Sequence, residues 1–459
     1  MTERDTIFAL ASGPGTAGVA VIRISGPAAG PALERLIRRP LPKPRVATHA
    51  RLFAPEEEGD APGGLPVDDG LVLWFPAPRS FTGEDVAELH VHGGRATLDA
   101  VGRALAAAGP LRPAEAGEFT RRAFENGKMD LTQAEALADL VAAETDAQRR
   151  QAMGQLMGAL GAIYEGWRER LIALTAEIEA TIDFADEELP EGLLEGAFPA
   201  LDRLREEIAG HLADAHRGER LRAGLSAVIL GPPNVGKSSL INYLSGREAA
   251  IVAASAGTTR DVIEVHLDLG GMPVTVADTA GPREAAEAVE EEGVRRALAR
   301  AEGADLKIVV FDARDWPALD SATEALIDEN ALILLNKSDL HDPCPDGVSL
   351  THIDDHGKQH TIYSVSVRTG AGLGAVLTAL EEMARARLGP GMSAPLTRAR
   401  HRAALEETVA ALGRIDRAEA VELNAEELRI AARALGRITG RVDVEDILDR
   451  IFAEFCIGK

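Results

Sequence analysis

Gly231-Pro232-Pro233-Asn234-Val235-Gly236-Lys237-Ser238 spells G-x-x-x-x-G-K-S, a loop that wraps nucleotide phosphates when it joins a strand to a helix. Its flanks supply that setting. Ala227-Val228-Ile229-Leu230 before it is an apolar, strand-like run, and Ser239-Leu240-Ile241-Asn242-Tyr243-Leu244 after it reads as helix. The glycines let backbone N–H groups turn inward around phosphates, and the helix N-terminus adds its positive end. Lys237 is placed to reach the β- and γ-phosphates and Ser238 to ligate Mg²⁺. Asn234, Val235, Gly236 and Ser239 complete the expected cradle.

Four more nucleotide elements follow in order. Gly257-Thr258-Thr259-Arg260-Asp261 offers Thr259 as a switch ligand of Mg²⁺. Asp278-Thr279-Ala280-Gly281 follows the apolar run Val274 to Ala277, so Asp278 can hold the metal shell through water and the Gly281 N–H can sense the γ-phosphate. Asn336-Lys337-Ser338-Asp339 closes the strand-like run Ala331 to Leu335. A carboxylate at Asp339 accepts from guanine N1–H and its 2-amino group, a donor pair adenine lacks, so this element selects GTP over ATP. Ser366-Val367-Arg368, after Thr361 to Val365, would back the base. The order predicts a P-loop GTPase domain with a mostly parallel sheet covered by helices.

The hydrolytic residue is less directly legible. A Ras-like GTPase places Gln just after the D-T-A-G segment to orient water. Here Pro282, Arg283 and Glu284 follow, so that role is vacant. Glu290, within the acidic run Glu287 to Glu292, is the candidate water-orienting carboxylate; the same run also reads as the solvated first turn of a helix. No arginine finger is assignable. Asn234 and carbonyls of Ala253, Ala254, Ser255, Ala256, Gly257 and Thr258 could instead hold K⁺, with Asn234, Ala253, Ser255 and Thr258 as its ligands, to offset transition-state charge.

The chain has 459 residues, 49 Lys+Arg, 73 Asp+Glu and a net charge of −24. Such a chain does not attract nucleic acid through its overall field, so an RNA contact needs a local basic patch or a partner. Two cysteines, Cys344 and Cys456, suit a reducing cytosol without a disulfide framework. The acidic start lacks a signal pattern, and no apolar run has membrane-spanning length, so a cytoplasmic protein without a membrane association is expected.

Residues 1–127 read as an α+β domain, with strands at Gly18 to Gly26, Leu71 to Phe75 and Val86 to His92. From Leu131 the pattern turns helical, opened by a capping box at Thr132-x-x-Glu135, and helices run to about residue 222 with a break near Pro190. The GTPase domain occupies 223–384, and its strand Ile263 to Leu269 alternates strictly. Residues 385–459 are helical again, with Leu405, Val409 and Leu412 on one face. The simplest architecture inserts the GTPase domain into a helical domain whose parts, 128–222 and 385–459, pack together.

At this point the chain resembles, along its whole length, the MnmE/TrmE family of tRNA uridine-modification GTPases. The matching stretches are Asp5-Thr6-Ile7, Val21-Ile22-Arg23-Ile24-Ser25-Gly26, Phe81-Thr82-Gly83-Glu84-Asp85, Gly117 to Phe124, Asp130 to Ala136, and the last four residues, Cys456-Ile457-Gly458-Lys459. The Asn234 loop and the Gly257 to Asp261 switch complete the likeness. The resemblance implies a homodimer that works with an FAD- and NADH-using partner of the MnmG/GidA type, in a heterotetramer or larger complex. Together they add a carboxymethylaminomethyl or aminomethyl group to C5 of the wobble uridine of certain tRNAs. It further implies a 5-formyl- or methylene-tetrahydrofolate bound by the N-terminal domain, with contacts on Arg23, Glu88, Lys128 and Lys459, K⁺ at Asn234, and the water-orienting acid at Glu290. Pro282 and the Val367-Arg368 pair depart from the family pattern next to contacts, not in them.

Other features keep two readings. His90 and His92 share one strand face but lack a ligand cluster, so a polar sheet face is expected. Cys456 is either a thiol for one-carbon chemistry or a small buried residue, and Cys344 sits in a Pro-rich loop. Arg398, Arg400, Arg402 and His401 form the best basic cluster in the sequence, for tRNA or merely at a helix start. The rival function is a regulatory GTPase in ribosome assembly, which has no use for a one-carbon carrier.

Overall fold

The computed structural model describes residues 5–54, 66–183, 193–247, 249–251, 264–278, 303–340, 349–353, 359–389, 395–416, 420–442, 445–453, 455 and 457–458. The chain forms two compact units: Met1–Ala138 with Leu156–Ile172 and Ala432–Lys459, and Asp139–Gln155 with Ala173–Ala431.

The first unit carries a six-stranded sheet. β1 (Thr6–Leu10), β2 (Ala17–Ser25), β3 (Thr48–Leu52), β4 (Asp68–Phe75), β5 (Val86–Gly93) and β6 (Leu111–Pro113) lie in the order β3-β4-β5-β2-β1-β6. The β1–β6 pair is parallel and the other neighbours are antiparallel. Strand alternation decides the faces. Ile22, Ile24, Leu89, Val91 and Val72 point into a core closed by the helices Ala29–Ile37 and Arg95–Ala107. Arg23, Glu88 and His90 take the opposite face. The helix Glu445–Ala453 adds Leu448 and Phe452 to a second small core with Leu131 and Ala134.

The second unit carries an eight-stranded sheet. β7 (Leu225–Leu230), β8 (Ala250–Ile251), β9 (Glu264–Leu269), β10 (Met272–Asp278), β11 (Leu306–Asp312), β12 (Ala331–Asn336), β13 (Ser349–Ile353) and β14 (Gln359–Ser364) lie in the order β13-β14-β12-β11-β7-β10-β9-β8. The five central strands, β14 to β10, are parallel; β13, β9 and β8 extend the sheet antiparallel. β7 is buried on both faces: Leu225, Ala227 and Ile229 enter one core, Val228 and Leu230 the other. That is why it reads as a continuous apolar run. The mostly parallel GTPase sheet expected from the motifs is therefore present.

The helices on either side of this domain meet. Ala399–Arg414, C-terminal to it, packs against Leu193–Ala213, which precedes it, with Leu204, Ile208, Leu405 and Leu412 buried. Insertion of the GTPase domain between helical segments follows. One local expectation fails. The capping box of the helix Leu131–Ala142 is set two residues earlier than Thr132-x-x-Glu135. Asp130 Oδ1 accepts from the Gln133 N–H at 2.9 Å, and Gln133 Oε1 accepts from the Asp130 N–H at 3.0 Å. Thr132 donates its hydroxyl to Asp130 and Glu135 is buried, so the better acceptor took the cap.

Candidate functional site

The phosphate loop leaves β7 at Gly231 and enters the helix Lys237–Ser245 through Gly236. Gly236 has φ +104°, and a Cβ there would strike the Asn336 amide nitrogen. Asn234 takes φ +63°, a left-handed conformation Asn tolerates better than most residues. Val235 is buried in the core while its carbonyl stays in the loop, and Ser238 and Ser239 are exposed on the first helical turn. The Lys237 ammonium donates to the carbonyls of Gly231 at 2.9 Å and Pro232 at 2.8 Å, which holds it over the loop it serves.

Asn336 fastens three loops together. Its Nδ2 donates to the Val235 carbonyl at 2.8 Å, and its Oδ1 accepts from the Val367 N–H at 3.1 Å. The side chain is buried, so both bonds are made away from water. Lys337, at φ +65°, extends across to the Asn234 carbonyl and Asp312 Oδ2, both 2.7 Å away. Asp312 ends β11 and also accepts from Arg314; hydrogen bonds from Arg314 and Lys337 outweigh the burial penalty and hold its carboxyl far below the usual carboxylate range. Asp312 is a residue of this cluster that motif reading missed. Its signal is a carboxylate closing an apolar strand in register with Asn336, its β12 partner.

Asp339 has a partner on each oxygen. Ser366 donates its hydroxyl to Oδ1 at 2.6 Å and Arg368 lies 2.8 Å from Oδ2. The hydroxyl bond is the larger cause holding this carboxyl below its ordinary value, with Arg368 adding to it against a burial penalty. An ionised carboxylate can accept two N–H donors, the pattern a guanine edge presents. Ser366 is the buried partner of Asp339, and Arg368, 75% exposed, is the accessible one.

Several expected residues lie outside the described residues: Glu290, Ala253, Ala254, Ser255, Ala256, Gly257, Thr258, Thr259, Thr279, Ala280, Gly281, Cys344, Cys456 and Lys459. Asp278 is described as the last residue of β10 but not in its side chain.

In the first unit, Arg23 and Glu88 are register partners on β2 and β5. Arg23 Nε and Nη2 approach Glu88 Oε1 at 3.0 and 2.9 Å, and its guanidinium lies 5.0 Å from the Phe81 ring centre and 5.8 Å from that of Phe119. Glu88 Oε2 stands 3.6 Å from His90 Nε2, a buried nitrogen that makes no hydrogen bond. Lys128 packs its stem near Gly83 and donates to the Pro78 carbonyl at 3.0 Å. His92 instead pairs with Asp68 at 2.8 Å, so the two histidines of β5 serve different partners. The motifs Phe81 to Asp85 and Gly117 to Phe124 prove architectural in part: Arg122, 4% exposed, binds the Asp5 carbonyl, Glu84, Glu118 and Asp5 at 2.8 to 3.2 Å.

The basic cluster at 398–402 is committed to structure. Arg398 meets Asp139 at 2.7 Å and is 13% exposed, Arg402 meets Glu219 at 3.2 Å, and His401 is buried.

Family models agree with this architecture. Residues 131–456 match the MnmE helical domain and residues 6–128 the GTP-binding protein TrmE N-terminus. The chain belongs to the MnmE family of tRNA modification GTPases. A "tRNA modification GTPase MnmE" of Paramagnetospirillum magneticum is 55% identical over 99% of this chain and 100% of that protein. Those of Rhodospirillum rubrum and Parvibaculum lavamentivorans are 54% and 53% identical over 99% of this chain and 99% and 100% of theirs. The helical model, matched over 131–456, spans the GTPase region that lies between the helical segments.

Proposed function

We propose that this MnmE chain hydrolyses GTP to drive transfer of a carboxymethylaminomethyl or aminomethyl group to C5 of the wobble uridine of certain tRNAs, drawing carbon from a 5-formyl- or methylene-tetrahydrofolate. It does so in the cytoplasm as a homodimer, in a heterotetramer or larger complex with an FAD-dependent MnmG/GidA-type partner. The observation that carries the reading is a guanine-selecting carboxylate, Asp339, in a chain whose N-terminal unit offers a half-buried Arg23–Glu88 pair.

The residues fit the groups the family implies. Ser238 stands on the first turn of the phosphate-loop helix, where its hydroxyl would meet Mg²⁺ together with Thr259. Asn234 would hold K⁺ with carbonyl or side-chain oxygens of Ala253, Ser255 and Thr258. When bound, the two cations offset charge on the phosphates as the γ-phosphoryl leaves. Lys237 moves from the Gly231 and Pro232 carbonyls to the phosphates, and Glu290 orients the attacking water. For the folate, Glu88 Oε2 and the unbonded His90 Nε2 supply an acceptor and a nitrogen for a pterin edge. Lys128 and Lys459 suit its glutamate carboxylates. Cys456 is the thiol nearest the chain end for one-carbon chemistry.

Nucleoside mass spectrometry of tRNA from cells lacking the chain tests this. The 5-substituted wobble uridine disappears and returns with the intact chain but not with Glu290→Ala. Unchanged tRNA rejects the reading and redirects it to a GTPase of ribosome assembly.

A further inference from the structure

Positive charge in this chain of net −24 gathers at one edge of the N-terminal sheet. Arg35, Arg38, Arg39, Lys43, Arg45 and Arg51 fall within residues 35–51, with no carboxylate among them. In sequence the run is followed by Glu56, Glu57, Glu58 and Asp60, so the charge is local rather than a property of the domain. β3 is the edge strand of that sheet. Arg39 donates to the His49 carbonyl of β3, and Arg45 to the Arg79 carbonyl beyond the end of β4. The Arg45 N–H donates to the Trp74 carbonyl at 2.8 Å.

Backbone carbonyls orient these guanidiniums without cancelling their charge. Each keeps further N–H donors of its five for another acceptor. Among the described residues no carboxylate pairs with Arg39, Lys43, Arg45 or Arg79, and all four are exposed. Several other exposed arginines sit on carboxylates, as Arg149 on Asp146, Arg385 on Glu381, Arg414 on Glu427 and Arg429 on Glu179. Arg51 and His49 also follow that habit, both meeting Asp69. Arg45 adds a second sign of selection: it holds φ +62°, a conformation that side chains with a Cβ avoid.

We propose that Arg39, Lys43, Arg45 and Arg79 bind the phosphate backbone of RNA. The inference rests on the reading of this chain as a tRNA-modifying GTPase and assigns its RNA contact to the N-terminal unit instead of the Arg398–Arg402 cluster, whose charges are spent on Asp139 and Glu219. The cations run from beside His49 to Arg79, past the end of β4. A spaced row suits a polyanion better than it suits a single carboxylate. Arg79 adjoins Pro78, whose carbonyl accepts from Lys128, one of the residues proposed above to hold the folate.

The test uses the full chain, an unmodified tRNA transcript with a wobble uridine, and fluorescence anisotropy between about 50 and 200 mM salt. Arg39→Gln/Lys43→Gln/Arg45→Gln/Arg79→Gln is expected to weaken binding at least about tenfold and to flatten the log–log salt slope by about 3, near the value for four lost phosphate contacts. GTP hydrolysis stays unchanged, as does RNA binding by Arg149→Gln/Arg150→Gln/Arg385→Gln/Arg429→Gln, which removes equal charge elsewhere. If the fourfold variant does not fold, Lys43→Gln/Arg79→Gln is read instead, with half the slope change, because neither side chain hydrogen-bonds to the described protein. Unaltered affinity and slope overturn the proposal. So does an intact chain that binds no tRNA, or a control that loses as much. Loss of a preference for polyglutamyl over monoglutamyl 5-formyltetrahydrofolate, with RNA binding intact, would assign the row to the folate tail and also overturn it. Wobble nucleosides that persist in cells lacking the chain reject the tRNA function while leaving the RNA-binding result to stand.

Discussion

Two ionic clusters in this protein use the same residue types for opposite ends. Around Arg122 every charge has found a partner: Arg122 serves Asp5, Glu84 and Glu118, Arg112 serves Asp5 and Glu118, and Ser25 donates to Glu84 at 2.7 Å. Around Asp339 the carboxylate is oriented on one oxygen by a buried serine and met on the other by an arginine that is 75% exposed. A saturated cluster built around a buried arginine fixes a fold. A cluster with one exchangeable partner can admit a ligand. The sequence motifs do not separate the two, because both place Asp, Glu and Arg at family-typical positions.

The comparison breaks most sharply at Arg122. Arg122→Met should cost about 3–5 kcal/mol, since it takes the arginine from the largely buried Glu84 and one of two from Glu118, and urea unfolding of the N-terminal unit would measure it. GTP affinity should hardly change; a large fall would mean the two clusters are not independent. Next is Asp339→Asn, which exchanges an acceptor for a donor facing guanine. GTP affinity should drop at least about a hundredfold, the scale of two charge-assisted hydrogen bonds, with the unfolding midpoint nearly unmoved. Asn336→Ala falls between the clusters. It leaves the Val235 carbonyl and the Val367 N–H without their partner, so a loss of about 1–3 kcal/mol should appear in both stability and nucleotide binding.

Acid sharpens the contrast further. Arg112 holds Asp5 below its ordinary value, and for Glu118 the bonds from Arg112 and Arg122 overcome a larger burial penalty. Both carboxyls have lower pKa values folded than unfolded. Their contribution is therefore complete above the unfolded values of 3.8 and 4.5 and declines as pH falls through and below them. Unfolding monitored from neutral pH downward should show that loss, and Arg112→Gln should shrink it. The smallest effect belongs to Arg368→Ala. An exposed pair contributes about 0–1 kcal/mol, so GDP affinity should shift less than about fivefold; a larger loss would make Arg368 a base contact rather than a displaceable partner.

The loop conformation at 231–236 and β7 were legible in sequence because each rests on local geometry. A positive φ calls for Gly or Asn, a strand buried on both faces reads as an apolar run, and a phosphate cradle needs consecutive N–H groups. The displaced capping box was less legible, since Thr132-x-x-Glu135 and Asp130-x-x-Gln133 both satisfy the pattern and only burial of Glu135 decides between them. The fates of Arg398 and Arg402 were not legible at all, because Asp139 and Glu219 lie far away along the chain.

By itself the sequence determined that this protein is a GTPase inserted between helical segments. Those properties follow from short-range stereochemistry and from motif order. Only the tertiary structure decided which charges are spent and which are offered: that Asp312 anchors Lys337, that Arg122 is a structural hub, that Arg398 is paired, and that Arg39 and Arg45 rest on carbonyls. The physical reason is that a side chain's free charge depends on partners brought together by folding, and residue order along the chain does not record those distances.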